Sequence, residues 1–210
     1  MSRVHVIVVA TSPLAFLKLG KSSVLTTAVA RARLAKCSPS VSVWIAEQAV
    51  DAWNRLPHSS RPDCVANVGV TLEDATQDVT ADFVLIHDAQ RPLTLPSTFD
   101  RVLDALESGL DATRPAHIVV DTLKTIDDEG RVTGTVNRDS VQSLTSPEGF
   151  RRSAIDFNGV AKEWALPLKA DSNADYVVGD QESLRIREPE DVLLVESFLA
   201  WQTFTSAQER

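Results

Sequence analysis

Short β-branched runs alternate along the chain with longer segments that carry alanine and leucine at helical spacing, and this alternation predicts the elements. VHVIVVA (4–10) reads as a strand, SSVLTTAVARARLA (22–35) as a helix and VSVWIA (41–46) as a second strand, together one βαβ unit. EQAVDAWNRL (47–56) follows as a helix stopped by Pro57, CVANVGV (64–70) as a short strand, and LEDATQDV (72–79) as a short helix or loop. DFVLIHD (82–88) is the clearest strand and AHIVV (116–120) the next. Between them, PSTFDRVLDALES (96–108) opens on Pro and Ser, sets Phe99, Val102, Leu103 and Leu106 on one face and stops at Gly109, a complete helix signature.

Beyond residue 120 the rhythm changes. DTLKTIDDEGRVTGTVNR (121–138) alternates apolar and polar residues around DDEG, the pattern of a β-hairpin projecting from a sheet. One reading is a solvent-exposed ribbon. A long two-stranded ribbon is marginal alone, however, so a second subunit is its natural support and 121–138 is expected to be a homodimerisation arm. Pro147 to Phe157 is expected to return to helix, YVVGD (176–180) and SLRIR (183–187) to form short strands, and EPEDVLLVESFLAWQ (188–202) to close the chain as a helix. Strands and helices in this order predict an α/β fold, a mostly parallel twisted sheet flanked by helices, Rossmann-like, with a projecting β-arm. No composition break divides it, so a single domain over 1–210 is expected.

Charge narrows the partners. A formal net charge of -8 argues against nucleic acid, which needs a concentrated basic surface that this chain lacks. No apolar stretch approaches the ~20 residues of a membrane span, and the first apolar run reads as a strand and not as a signal peptide. Cys37 and Cys64 lack CxxC spacing, which leaves two free thiols and suits a reducing, cytoplasmic setting. Small molecules or protein are the expected partners.

The candidate chemistry lies at the tip of one strand. In VLIHDAQRPL (84–93), His87, Asp88 and Arg91 stand directly behind a run that can be buried on both faces. Sheet ends of this kind often hold ligands, whereas the plainer reading is a turn in which Asp88 and Arg91 satisfy each other. Lys18 and Lys21, in KLGKS, read as solvated lysines ahead of the first helix, since the GxxxxGK[ST] phosphate loop is incomplete.

VLIHDAQRPL, DTLK with TVNRDSVQSLTSPEGF, and SLRIREPEDV, taken in this order, resemble the 2-C-methyl-D-erythritol 4-phosphate cytidylyltransferases. That family has VLVHDAARP, DT(L/M)K with TV(D/N)R and LxxxLTPQ(A/G)F, and NxKVTxPEDL; KLGKSSVLTTAV (18–29) extends the likeness over nearly the whole chain. The resemblance implies a nucleotidyltransferase fold and a transfer between CTP and a sugar-alcohol phosphate, 2-C-methyl-D-erythritol 4-phosphate, with Mg²⁺, in the non-mevalonate route to isoprenoid precursors. It implies that Asp88 lies at the nucleotide and metal site, that Arg91 holds the substrate side, and that Thr122 and Arg138 reach the substrate phosphate across a dimer interface. It also implies that Arg185 stands for a catalytic lysine, and that Ala10 and Gly69 are what remains on the nucleotide side. Without the family, Arg138 would simply pair with Asp139 or Glu129.

The chain departs from the family where the triphosphate binds. The family's glycine-rich loop after strand one, with GxGxR and a PK pair, is here ATSPLAF: no glycine precedes Gly20, and Leu14 follows the proline. Without glycine the backbone cannot fold closely around phosphates, and fewer N–H groups are available to point at them. The cytosine-reading segment is reduced to NVGVTLEDAT (67–76), where Glu73 and Asp74 add negative charge, and Asp171 in DSNAD reads as a loop acid. Two expectations stand side by side: a divergent CTP-dependent enzyme, and a non-catalytic relative, a pseudoenzyme, that keeps the fold and the dimer arm and pairs with a true family enzyme.

Overall fold

The computed structural model describes residues 2–208, with side chains through Trp201; Met1, Glu209 and Arg210, within the single domain expected over 1–210, lie outside the described residues. Its strands are β1 (Val4–Ala10), β2 (Lys18–Leu19), β3 (Ser22–Ser23), β4 (Ser40–Ile45), β5 (Val65–Val68), β6 (Phe83–Asp88), β7 (Ala112–Ile118), β8 (Lys124–Ile126), β9 (Val132–Thr135), β10 (Gln142–Leu144), β11 (Glu148–Arg151) and β12 (Ala174–Val178). The helices are α1 (Val24–Arg33), α2 (Val50–Arg55), α3 (Leu72–Gln77), α4 (Pro96–Glu107) and α5 (Asp191–Gln208).

The main sheet runs β10-β7-β11-β6-β1-β4-β5, with β12 added on β7. β6, β1, β4 and β5 are mutually parallel and β12 is parallel to β7, while β10 and β11 are antiparallel to their neighbours. The mostly parallel α/β sheet is as expected. Successive side chains of a strand point to opposite faces, so β1 feeds two cores. Val6 and Val8 pack with α1 and α4 through Leu25, Val29, Phe99 and Val102. Ile7 and Val9 meet Phe150, Ile155 and Leu166 on the other side. The α4 stripe forms as its spacing predicts, and the helix ends at Gly109, whose φ of 116° is open to glycine and costly for other residues.

Four expectations are corrected. Residues 147–157 do not return to helix: β11 inserts antiparallel between β6 and β7, followed by a 3-10 turn at Arg152–Ala154. Gly149 permits this, because a Cβ there would stand 2.4 Å from Val102 Cγ1 of α4. The strand expected at 116–120 begins at Ala112 and ends at Ile118, since Arg114 is buried by pairing with Glu148 at 3.2 Å and by stacking on Trp164. Residues 183–187 form no strand; the segment crosses the sheet end with Ile186 N–H donating to Gln90 O at 2.8 Å. The closing helix starts at Asp191.

The 121–138 segment forms a ribbon, β8 against β9, which is a two-stranded sheet of its own. Asp127 accepts the Arg131 backbone N–H and its side chain at 2.8 and 2.9 Å, which closes the turn. Among the described residues, no helix is long and apolar enough to cross a membrane.

Candidate active site

β4 and β5 lie on one side of β1 and β6 on the other, so the order of the chain reverses between β1 and β6. In open α/β sheets, the carboxyl ends of the strands at such a reversal form the ligand crevice. Here the crevice receives Thr11 and Ser12 after β1, the segment Asp88 to Arg91 after β6, and the crossing segment Leu184–Ile186. Ala10 ends β1 fully buried, its carbonyl accepting Ala46 N–H at 3.1 Å.

The turn after β1 closes on itself. Ser12 caps a short 3-10 helix, Pro13–Phe16, accepting Leu14 N–H on its side chain at 3.2 Å and Ala15 N–H on its carbonyl at 3.2 Å; Leu17 N–H then bonds Leu14 O.

Asp88 is the carboxylate of the crevice. Its Oδ2 accepts Arg185 Nε at 2.6 Å and its Oδ1 accepts the Gln90 backbone N–H at 2.9 Å. Arg91 is the lesser partner, with Nε 3.9 Å from Asp88 Oδ2, so the mutual pairing of Asp88 and Arg91 gives way to one carboxylate shared by two guanidiniums. Arg91 is held by backbone, donating to Ser183 O at 2.5 Å and Leu144 O at 3.5 Å. Burial lowers its pKa; Asp88 opposes that shift, and the nearby Arg185 and Arg187 add to it. Beneath them, the fully buried His87 has Nδ1 2.8 Å from Ser146 Oγ, a hydroxyl that also accepts Asp88 N–H. His87 Nε2 has no hydrogen-bond partner and the ring stands edge-on to Phe99, so burial pushes the imidazole pKa down to about 4.

These residues as arranged do not fit a Mg²⁺ ion. Among the described residues no group of three His, Cys, Asp or Glu side chains could hold a metal. One carboxylate suffices when phosphates and waters complete the shell, but Asp88 Oδ2 is already bonded to the Arg185 guanidinium and Oδ1 to the Gln90 N–H.

A cleft of about 650 Å³ opens beside the crevice, over β4 and β5, lined among others by Thr11, Trp44, Gln48, Gly69 and Glu73. Gly69, at φ 74°, turns the chain into α3, whose Thr71 and Asp74 cap each other. Glu47 and Glu73 both face this cleft.

The structure thus brings Asp88, Arg91 and Arg185 together, with Ala10 below them and Gly69 in the adjoining cleft. Thr122 and Arg138 are not joined to this cluster by any hydrogen bond or ion pair among the described residues of one chain. Both are exposed, and Arg138 donates to Val120 O at 2.8 Å; Glu129 pairs instead with Arg131 at 2.7 Å. Lys18 and Lys21 line a separate cavity with Arg61. The sequence reading passed over Gln90, which is 2% exposed and bonded to Thr11, Asp88, Arg185 and Ile186. Its one signal was a polar residue where the quoted family motif has alanine.

Comparison with known proteins gives a consistent result. A family model described as 2-C-methyl-D-erythritol 4-phosphate cytidylyltransferase matches residues 8–200. A protein of that name from Rhodococcus jostii (strain RHA1) is 32% identical over 202 residues, covering 89% of this chain and 87% of the relative. A solved structure of the Thermus thermophilus protein of that name superposes with a TM-score of 0.75 at 22% identity, covering 95% of this chain and 100% of the other. The 4-diphosphocytidyl-2C-methyl-D-erythritol synthase of Anaerococcus prevotii DSM 20548 gives 0.74 at 20% identity, covering 95% and 99%.

Proposed function

The chain belongs to the 2-C-methyl-D-erythritol 4-phosphate cytidylyltransferase family, and from that premise we propose that it is a divergent member in which nucleotidyl transfer is weak or lost while the side that holds a phosphate ester is kept. The observation that carries this is the turn after β1: the N–H groups of Leu14, Ala15 and Leu17 are bonded within the turn and Leu14 supplies no charge. Attack by a phosphate oxygen on the α-phosphorus of CTP, with pyrophosphate leaving, brings two polyanions together. Donors and cations aimed at the developing charge are the main catalytic contribution in such reactions. With Arg185 bonded to it, Asp88 is also not poised for a Mg²⁺ arriving with CTP.

On this reading Arg91, with Thr122 and Arg138 contributed by a second copy through the 121–138 arm, forms a phosphate site for 2-C-methyl-D-erythritol 4-phosphate or a similar ester. A planar guanidinium suits that role because it donates two parallel bonds to a phosphate. The protein works as a homodimer, or paired with an intact family enzyme, in the non-mevalonate isoprenoid route. A cytoplasmic location suits the free thiols Cys37 and Cys64.

The open cleft over β4 and β5 favours a second reading, an active enzyme that takes CTP and a sugar-alcohol phosphate through a rearranged site. One pair of measurements separates the two: calorimetric titration with CTP and Mg²⁺, and pyrophosphate release on adding 2-C-methyl-D-erythritol 4-phosphate. The expected result is no saturable CTP binding and no release above background. Turnover in the ordinary enzyme range, about 1 per second or more, would establish the second reading.

A further inference from the structure

Gln90 is a polar side chain that the crevice has drawn fully inside. Its Nε2 donates to Ile186 O at 2.5 Å, which fixes the orientation of the amide, since a carbonyl can only accept. The other end, Oε1, is met by three donors: Thr11 Oγ1 at 3.3 Å, Ser12 Oγ at 3.0 Å and Arg185 Nη2 at 3.2 Å. An amide oxygen has two lone pairs, so three donors, one of them cationic, exceed what this neutral acceptor can satisfy well. Two hydroxyls and a guanidinium converging on one point form a donor set suited to an oxyanion. That point lies between the carboxyl ends of β1 and β6, where the strand order reverses and ligands of open α/β sheets sit.

We propose that the Gln90 carboxamide is a built-in occupant of this crevice, standing where an oxyanion would sit, and that it determines what the site admits by excluding polyphosphate. The inference rests on the reading of the crevice as an anion site. The backbone of Gln90 is anchored independently of its side chain, with N–H on Asp88 Oδ1 at 2.9 Å and carbonyl on Ile186 N at 2.8 Å. Shortening the side chain therefore leaves the segment in place and frees Thr11, Ser12 and Arg185. Because glutamine is uncharged, its removal does not change the charge of the site, and any gain in anion affinity comes from the vacated donors.

The test is calorimetric titration of the full chain with inorganic pyrophosphate, without nucleotide or metal, comparing wild type, Gln90→Ala and Gln90→Asn. Gln90→Asn keeps the amide but draws its oxygen back from the donors by one carbon. At least tenfold tighter binding by Gln90→Ala is expected, with Gln90→Asn between it and wild type, and adding Arg185→Ala to Gln90→Ala should restore the weak wild-type affinity. Equal affinity in whichever variant remains folded would overturn the proposal. So would failure of both variants to fold, which would make Gln90 an indispensable strut. The functional reading is judged on turnover of CTP by the wild type, and this inference on a difference in pyrophosphate affinity between proteins, so either can fail alone.

Discussion

Arg185 Nε donates to Asp88 Oδ2 at 2.6 Å, joining two positions 97 residues apart across the end of the sheet. The contact ties the crossing segment to the tip of β6, and it is partly buried, with Asp88 18% and Arg185 35% exposed. Exposed pairs contribute about 0–1 kcal/mol, whereas breaking a buried pair costs about 3–5 kcal/mol. At this exposure solvent screening places the pair between those limits. Asp88→Asn, which also weakens the acceptor for Gln90 N–H, is expected to lower stability by about 2 kcal/mol, and Arg185→Ala by about 1 kcal/mol. In urea denaturation the double variant should lose less than the sum, by about 1 kcal/mol. Strict additivity would mean that the pair contributes nothing to the fold.

His87 makes stability depend on pH below neutrality. Burial holds its folded pKa at about 4 against 6.5 in the unfolded chain. Between those values the unfolded chain binds a proton that the native state does not, so this stability is present above pH 6.5 and is lost as pH falls toward 4. The full loss amounts to about 3 kcal/mol. Denaturation midpoints measured from pH 7 to 4 should fall accordingly, and His87→Gln should flatten the slope. Some slope should remain from His5, whose pKa burial also lowers. An unchanged slope in the variant would show that another group governs the acid side.

Gly149 lets α4 lie directly on β11. A Cβ there would stand 2.4 Å from Val102 Cγ1 and 3.0 Å from Leu106 Cδ1, closer than packed side chains allow. Gly149→Ala should therefore destabilise the protein by about 1–3 kcal/mol through overpacking, seen as a lower denaturant midpoint at unchanged slope. Val102→Ala in the same chain should recover part of the loss by vacating the clashing methyl.

That glycine also marks the limit of what the pattern of the chain reveals. β1, β6 and α4 were legible because burial on two faces or on one stripe leaves a β-branched run or a helical period. β11 was not, because four residues with a glycine against α4 and Phe150 in the opposite core carry neither period. β7 was half concealed, since Arg114 and Pro115 look like surface residues until Glu148 and Trp164 are placed beside them. At the site, the charged tip of β6 was visible as Asp88 and Arg91. The dominant partner of Asp88 and the burial of Gln90 depend on a segment nearly a hundred residues later, which local spacing does not encode.

The ribbon and the phosphate site can be tested together, because the proposed function makes each depend on the other. Ile126 and Val132, one on each strand of the ribbon, are each 65% exposed, and nothing within the described chain covers them. On that reading a second copy covering them brings its Arg138, whose guanidinium donates to Val120 O among the described residues, toward Arg91. Sedimentation should give a dimer mass, and Ile126→Glu with Val132→Glu should give a monomer. A phosphate monoester at ten times its dissociation constant should then stabilise the dimer by about 1.4 kcal/mol, raising Tm by roughly 3–6 °C. CTP should raise it less, and Arg138→Ala should remove the difference. The monomeric double-Glu variant should lose it as well, although its Arg138 is intact, because the site needs the arm of the other subunit. If the monomer keeps the full response to phosphate esters, the anion is held within one chain, and neither the arm nor Arg138 belongs to the site.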